Sequence, residues 1–181
     1  MRLLFVRHGQ TDDNARGLIQ GRNDPPLNDN GLAQAERIAE ILSHQDVSCI
    51  ISSPLKRALQ TADIISQKTG LVIELDDRLV ERDFGLLQNH TYEDLNKHPA
   101  TGQPDFLARD YEEFGAEPIC DMIERVTDFL RDLSRRQEAA VLIVAHGGIG
   151  YCFDHLLTDT ELPQVALNGQ VQHYTLSNKK E

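Results

Sequence analysis

Near the start of the chain, an arginine and a histidine stand directly behind an apolar run: Leu3-Leu4-Phe5-Val6 leads into Arg7-His8-Gly9-Gln10-Thr11. A neutral imidazole can attack a phosphoryl group, and a guanidinium can hold its oxygens bidentately while staying charged at any working pH. The apolar run has the pattern of a buried strand, and ligands of open α/β sheets sit just beyond the carboxyl ends of strands. Gly9 is read as the residue that lets the backbone approach that ligand.

Three further segments carry groups of the same kind. Arg57 lies within Ser52-Ser53-Pro54-Leu55-Lys56-Arg57-Ala58-Leu59-Gln60-Thr61, Glu81 within Leu79-Val80-Glu81-Arg82-Asp83-Phe84-Gly85, and His146 in Ala145-His146-Gly147-Gly148. Two histidines, two arginines and a carboxyl group are expected to meet at one edge of a sheet. There Arg7 and Arg57 would clamp phosphate and keep His8 neutral and nucleophilic, while Glu81 protonates the leaving oxygen. A helix N-terminus beside Arg57 would add backbone donors for the anion.

The elements that must position these groups alternate between strand and helix signals, which predicts an α/β domain with a largely parallel sheet. Strands are expected at 3–6, 47–51, 71–75, 139–145 and 171–176. Residues 31–43 form a helix with Leu32, Ala35, Ile38, Ala39 and Leu42 on its inner stripe. A second helix runs to about residue 67 with Pro54 in its first turn, since proline suits that position. A third spans 118–136 with Ile119, Ile123, Val126, Phe129, Leu130 and Leu133 inward, and a fourth spans 149–157. Residues 84–117 are the least regular, broken by Pro99, Gly102, Pro104 and Gly115. Asp12-Asp13 reads as a capped turn after the first strand, and Asp110–Phe114 as a solvated acidic loop. With no repeat or linker, 1–181 is read as a single domain.

Arg7-His8-Gly9-Gln10-Thr11, Ser53-Pro54-Leu55-x-Arg57-Ala58-x-Gln60-Thr61-Ala62, Glu81 with Phe84-Gly85, Ala145-His146-Gly147-Gly148 and Asn168-Gly169 together resemble the histidine phosphatase superfamily, which also contains the cofactor-dependent phosphoglycerate mutases. The resemblance implies a phosphoglycerate mutase-like three-layer α/β/α sandwich with a mostly parallel central sheet. It implies that His8 is phosphorylated on a ring nitrogen, that Arg7, Arg57 and His146 complete the phosphate pocket, and that Glu81 is the acid/base. Gly9, Asn14, Gln20, Gly21 and Gly147 would join in holding substrate or phosphate. No metal and no organic cofactor is implied for the phosphatases. The chain departs from the family pattern at Gln10, where glutamate is commoner, and at Asn89, where a glycine often stands. Asparagine tolerates positive φ better than most residues.

Whole-chain properties bound the partners. With 181 residues and a formal net charge of −11, the chain is long enough for a substantial core and unsuited to nucleic acid or an anionic membrane surface. Three widely spaced cysteines without Cys-x-x-Cys, and no apolar run near the roughly 18 residues of a membrane span, point to a cytoplasmic protein. His44, His90, His98, His155 and His173 lack metal-ligand spacing. Neither Cys49 with Arg57 nor Cys120 with Arg125 has the five-residue spacing of a cysteine phosphatase. The expected activity is hydrolysis of a small phosphorylated metabolite. A phosphoglycerate mutase is the alternative, disfavoured because 84–117 is short and acidic, with Arg109 its only arginine and Lys97 its only lysine. A non-catalytic module that binds phosphorylated ligands is a third. Natural substrate and oligomeric state are left open.

Overall fold

The computed structural model describes residues 1–96, 102, 105, 108, 110–158 and 167–177. Lys97, His98, Pro99, Pro104 and Arg109 lie outside these. A five-stranded sheet has the order β3-β2-β4-β1-β5, with β1 Arg2–Arg7, β2 Ile50–Ser52, β3 Ile73–Leu75, β4 Ala140–Ala145 and β5 Val171–Thr175. All neighbouring pairs are parallel except β1 with β5.

Central strands that are covered on both faces should be apolar, and Leu3–Val6 of β1 and the whole of β4 are. Leu3, Phe5, Val141, Ile143 and Ala145 pack on one face against α4 (Ile119–Leu133) and α5 (Gly147–Leu157). Leu4, Val6, Leu142 and Val144 pack on the other against α2 (Asp29–Leu42) and α3 (Lys56–Thr69). The three layers follow from this division. A smaller cluster of Ile19, Phe84, Leu87, Leu95, Tyr111 and Ala116 lies outside the sheet and underpins the irregular segment. Tyr111 is therefore core, not part of a solvated loop.

Local expectations fail where tertiary packing decides. Leu32 is exposed and Gly31 is buried in its place on the inner face of α2. Met122, not Ile123, fills the fully buried position in α4. The second strand begins at Ile50, and Val47 is buried ahead of it. Pro54 precedes the N-cap Leu55 and so lies outside the first turn of α3. The short helix α1 (Asp12–Ala15) starts at Thr11 through a reciprocal capping box with Asn14, and Asp12-Asp13 occupy its first turn.

Candidate active site

Parallel pairing sets the site. Arg7 pairs with Ala145 in the β1–β4 register, so His8 and His146 leave adjacent strands side by side with ring centroids 5.2 Å apart. The His8 N–H still donates to the Ala145 carbonyl. Ser53 leaves the next strand, its N–H donating to Val144, and α3 begins three residues later with Arg57 in its first turn. Arg7, His8 and Arg57 border a small cavity lined also by Gln20, Gly21 and Glu81, with Ile19, Phe84, Tyr92 and Gly147 completing the wall.

The geometry fixes the protonation of His8. Its Nδ1 is 2.7 Å from the Gly9 carbonyl, an acceptor only, so Nδ1 carries the proton. Nε2 is then a lone pair, and the Arg57 Nε–H donates to it at 3.2 Å. Burial pushes the His8 pKa well below the ordinary histidine value, and the charges of Arg57 and Arg7 push it further. The ring is neutral, with its nucleophilic nitrogen against a guanidinium.

Arg57, 1% exposed, is held by backbone. Its Nη1 donates to the Asn23 carbonyl at 2.6 Å and its Nη2 to that of Gly21 at 2.8 Å. Gly21 thus enters the site through its carbonyl, at a φ of +50°. The first N–H of α3, on Lys56, donates to the Asp24 carboxylate at 2.6 Å. That helix terminus is therefore partly occupied already.

Glu81 is oriented from both sides. Its Oε1 accepts from the Arg82 N–H at 2.9 Å and its Oε2 from the Gly148 N–H at 3.1 Å. Gly148 lies in the first turn of α5, whose N-cap is His146. A side chain there would run into Glu81 Oε1, so glycine is needed for the carboxylate to approach the helix. This helix begins two residues before the expected start, with Gly147-Gly148 inside it.

His146 is fully buried. Burial lowers its pKa far below the ordinary value, and Arg57, His8 and Arg7 add to that. Its Nε2 lies 2.8 Å from Ser53 Oγ.

Of the ten residues expected here, Arg7, His8, Gln20, Gly21, Arg57, Glu81 and Gly147 line the cavity, and His146 packs against His8. Gly9 and Asn14 are not among the lining residues. The Gly9 N–H donates to Thr61 Oγ1 at 3.0 Å, and a side chain at Gly9 would strike the Gly31 carbonyl. It serves the approach of α2. Asn14 Oδ1 accepts from the Thr11 N–H at 3.1 Å, which leaves only its amide nitrogen for a substrate. Asn89 does adopt a glycine-like φ of +71°, and its N–H donates to Ile19 while Ile19 donates to His90, closing the cavity wall.

The sequence reading gave no role to Thr61, Asp24, Ser53 or Gly148. Ser53, Thr61 and Gly148 stand within the motifs, so a signal is present in the sequence, but the through-space partner is not. Asn168 donates from Nδ2 to the His8 carbonyl at 2.7 Å. Among the described residues there is no group of three His, Cys, Asp or Glu side chains able to hold a metal ion, and no helix long and apolar enough to cross a membrane.

Known proteins resemble this chain along most of its length. A family model described as histidine phosphatase superfamily (branch 1) matches residues 3–177. Phosphoglycerate mutase-like protein 4 of Arabidopsis thaliana is 37% identical over 81% of this chain and 66% of its own length. Glucosyl-3-phosphoglycerate phosphatase of Mycolicibacterium vanbaalenii is 33% identical over 82% of this chain and 70% of its own. The solved mycobacterial glucosyl-3-phosphoglycerate phosphatase, in complex with VO3, superposes with a TM-score of 0.74 at 29% identity, covering 95% of this chain and 90% of that one.

Proposed function

The chain belongs to the histidine phosphatase superfamily and is a phosphatase, and from that premise we propose that it hydrolyses small phosphomonoesters in two steps through a phosphoryl group carried on His8. The observation that carries this reading is the His8 ring itself. Its Nδ1–H is bound to the Gly9 carbonyl, and Nε2 is presented to the cavity beside Arg57.

In the first step, His8 Nε2 attacks phosphorus, the bond from phosphorus to the leaving oxygen breaks, and Glu81 gives that oxygen its proton. Phosphorylated His8 is an imidazolium, and the Gly9 carbonyl opposite Nδ1–H stabilises the charge that appears there. In the second, Glu81 takes a proton from water as its oxygen attacks phosphorus. The phosphorus–nitrogen bond breaks and His8 returns neutral. Arg7 and Arg57 balance the equatorial oxygens throughout, aided by His146.

In this reading residues 1–181 act as one catalytic domain without a metal. The three free cysteines, two of them buried, suit a cytoplasmic setting. The test is turnover of p-nitrophenyl phosphate with excess chelator by the wild type and by His8→Ala, scored as orthophosphate released. Loss of turnover in the variant alone is expected. A variant that turns over normally, or a wild type that needs divalent metal, overturns the reading.

A further inference from the structure

We propose that Ser53 is a positioning residue that fixes the tautomer of His146, so that His146 meets the phosphoryl group as a neutral Nδ1–H donor. The inference rests on the phosphatase reading above and adds to it a residue outside the cavity wall. It follows from where one hydroxyl proton can go.

Ser53 is fully buried. Its Oγ accepts from the Leu55 N–H at 3.3 Å and lies 2.8 Å from His146 Nε2. A serine hydroxyl has one proton to donate and two lone pairs to accept with. Among the described residues His146 Nε2 is the sole acceptor within reach of the Ser53 proton. The neighbouring Ser52, equally buried, behaves differently: its hydroxyl donates to the Ser53 carbonyl at 2.9 Å. Were the imidazole proton on Nε2, it would point at an oxygen whose own proton then has no acceptor in a buried site, which costs about 1–3 kcal/mol. The arrangement that satisfies both groups has Ser53 donating to Nε2, which leaves the ring proton on Nδ1.

That nitrogen is buried and has no hydrogen-bond partner among the described residues. With Nε2 held by Ser53, it is the one atom of the ring left to meet a substrate oxygen, beside the His8 ring that receives phosphorus. A neutral donor suits the place. A second cation fixed there would repel Arg7 and Arg57, whereas an N–H contributes a directed hydrogen bond to the transition state without adding charge. His146 is thus a donor by virtue of Ser53, in the way a partner at one ring nitrogen sets the role of the other.

The experiment is a 15N spectrum of the histidine rings, paired with kinetics of the phosphorylation step. Wild-type His146 is expected to show a protonated Nδ1 and an unprotonated, hydrogen-bonded Nε2. In Ser53→Ala that preference is lost, and kcat for an alkyl phosphate falls about tenfold to a hundredfold with little change in KM. Ser53→Thr, which keeps the hydroxyl, restores both. A proton on Nε2 in the wild type refutes the proposal by itself, so the test survives a variant that does not fold. An unchanged tautomer and rate in Ser53→Ala refute it equally. Failure of the wild type to form any acid-labile phosphoprotein would instead refute the role of His8, so the two ideas fail separately.

Discussion

Replacing Gly148 by alanine adds one methyl group in the first turn of α5, at a point where it overlaps Glu81 Oε1 and lies 3.1 Å from the Met122 methyl. Both obstacles are ends of flexible side chains, so the backbone has no need to move and the carboxylate must. Alanine also favours a helix over glycine by up to about 1 kcal/mol. The fold should therefore keep its stability to within about 1 kcal/mol while Glu81 shifts from its two backbone donors. A misplaced general acid costs on the order of 10²-fold, or about 2.7 kcal/mol of barrier.

The dependence on leaving group makes the test specific. For an alkyl phosphate, whose alkoxide must be protonated as it departs, kcat/KM should fall about 10²-fold. For p-nitrophenyl phosphate, whose phenolate leaves unaided, kcat/KM should change by no more than about threefold. Urea unfolding checks the stability half. An equal loss on both substrates would mean that the phosphate pocket and not the acid was disturbed. No loss on either would remove Glu81 from the first step.

Further outcomes are open to measurement. His8 and His146 are buried with pKa values lowered below the free histidine value, so their contribution to stability is complete above the unfolded pKa near 6.5 and is lost as the pH falls toward the folded values. Stability should therefore fall as the pH is lowered below roughly 6.5, readable from urea midpoints between pH 7.5 and 5.0, and a flat profile there contradicts it. Gly9→Ala presses on the Gly31 carbonyl, which is backbone and cannot swing away, and should destabilise by about 1–3 kcal/mol in thermal unfolding. Arg82, fully buried, donates to the carbonyls of Glu117 and Ala108 and lies over the rings of Phe84 and Tyr111. Arg82→Met should cost about 2–4 kcal/mol and loosen the segment around Phe84, visible as faster amide exchange there.

Arg7, His8, Arg57 and His146 were legible because each ends or follows a strand pattern or opens a helix, and parallel strands bring such positions to one edge. What stayed hidden was pairing through space. Nothing in Gly9 distinguishes a glycine that admits a ligand from one that admits Gly31, and both readings satisfy the same local sequence. The carbonyl oxygen of Asn14 closes a cap with Thr11, a pairing that its place six residues after His8 does not announce. The phase of α4 was off at Met122 and Ile123 because two adjacent apolar residues fit the stripe about equally, and the neighbouring helix α5 decides between them. Leu32 fell outside because the close contact of Gly31 with the Gln10 backbone turns α2 by its own steric demand. Asn89 was readable for the opposite reason: the constraint is a backbone angle, and side-chain type alone reports on it.

The hydrogen bond from Arg57 to His8 Nε2 has a bearing on selectivity. With the other two branches of the guanidinium moored to carbonyls of the 21–23 loop, the arginine covers the reactive nitrogen until an incoming anion draws its third N–H away. Neutral electrophiles offer nothing to exchange for that contact, whereas a phosphate group does. In the proposed mechanism the event that delivers the substrate is therefore also the one that uncovers the nucleophile.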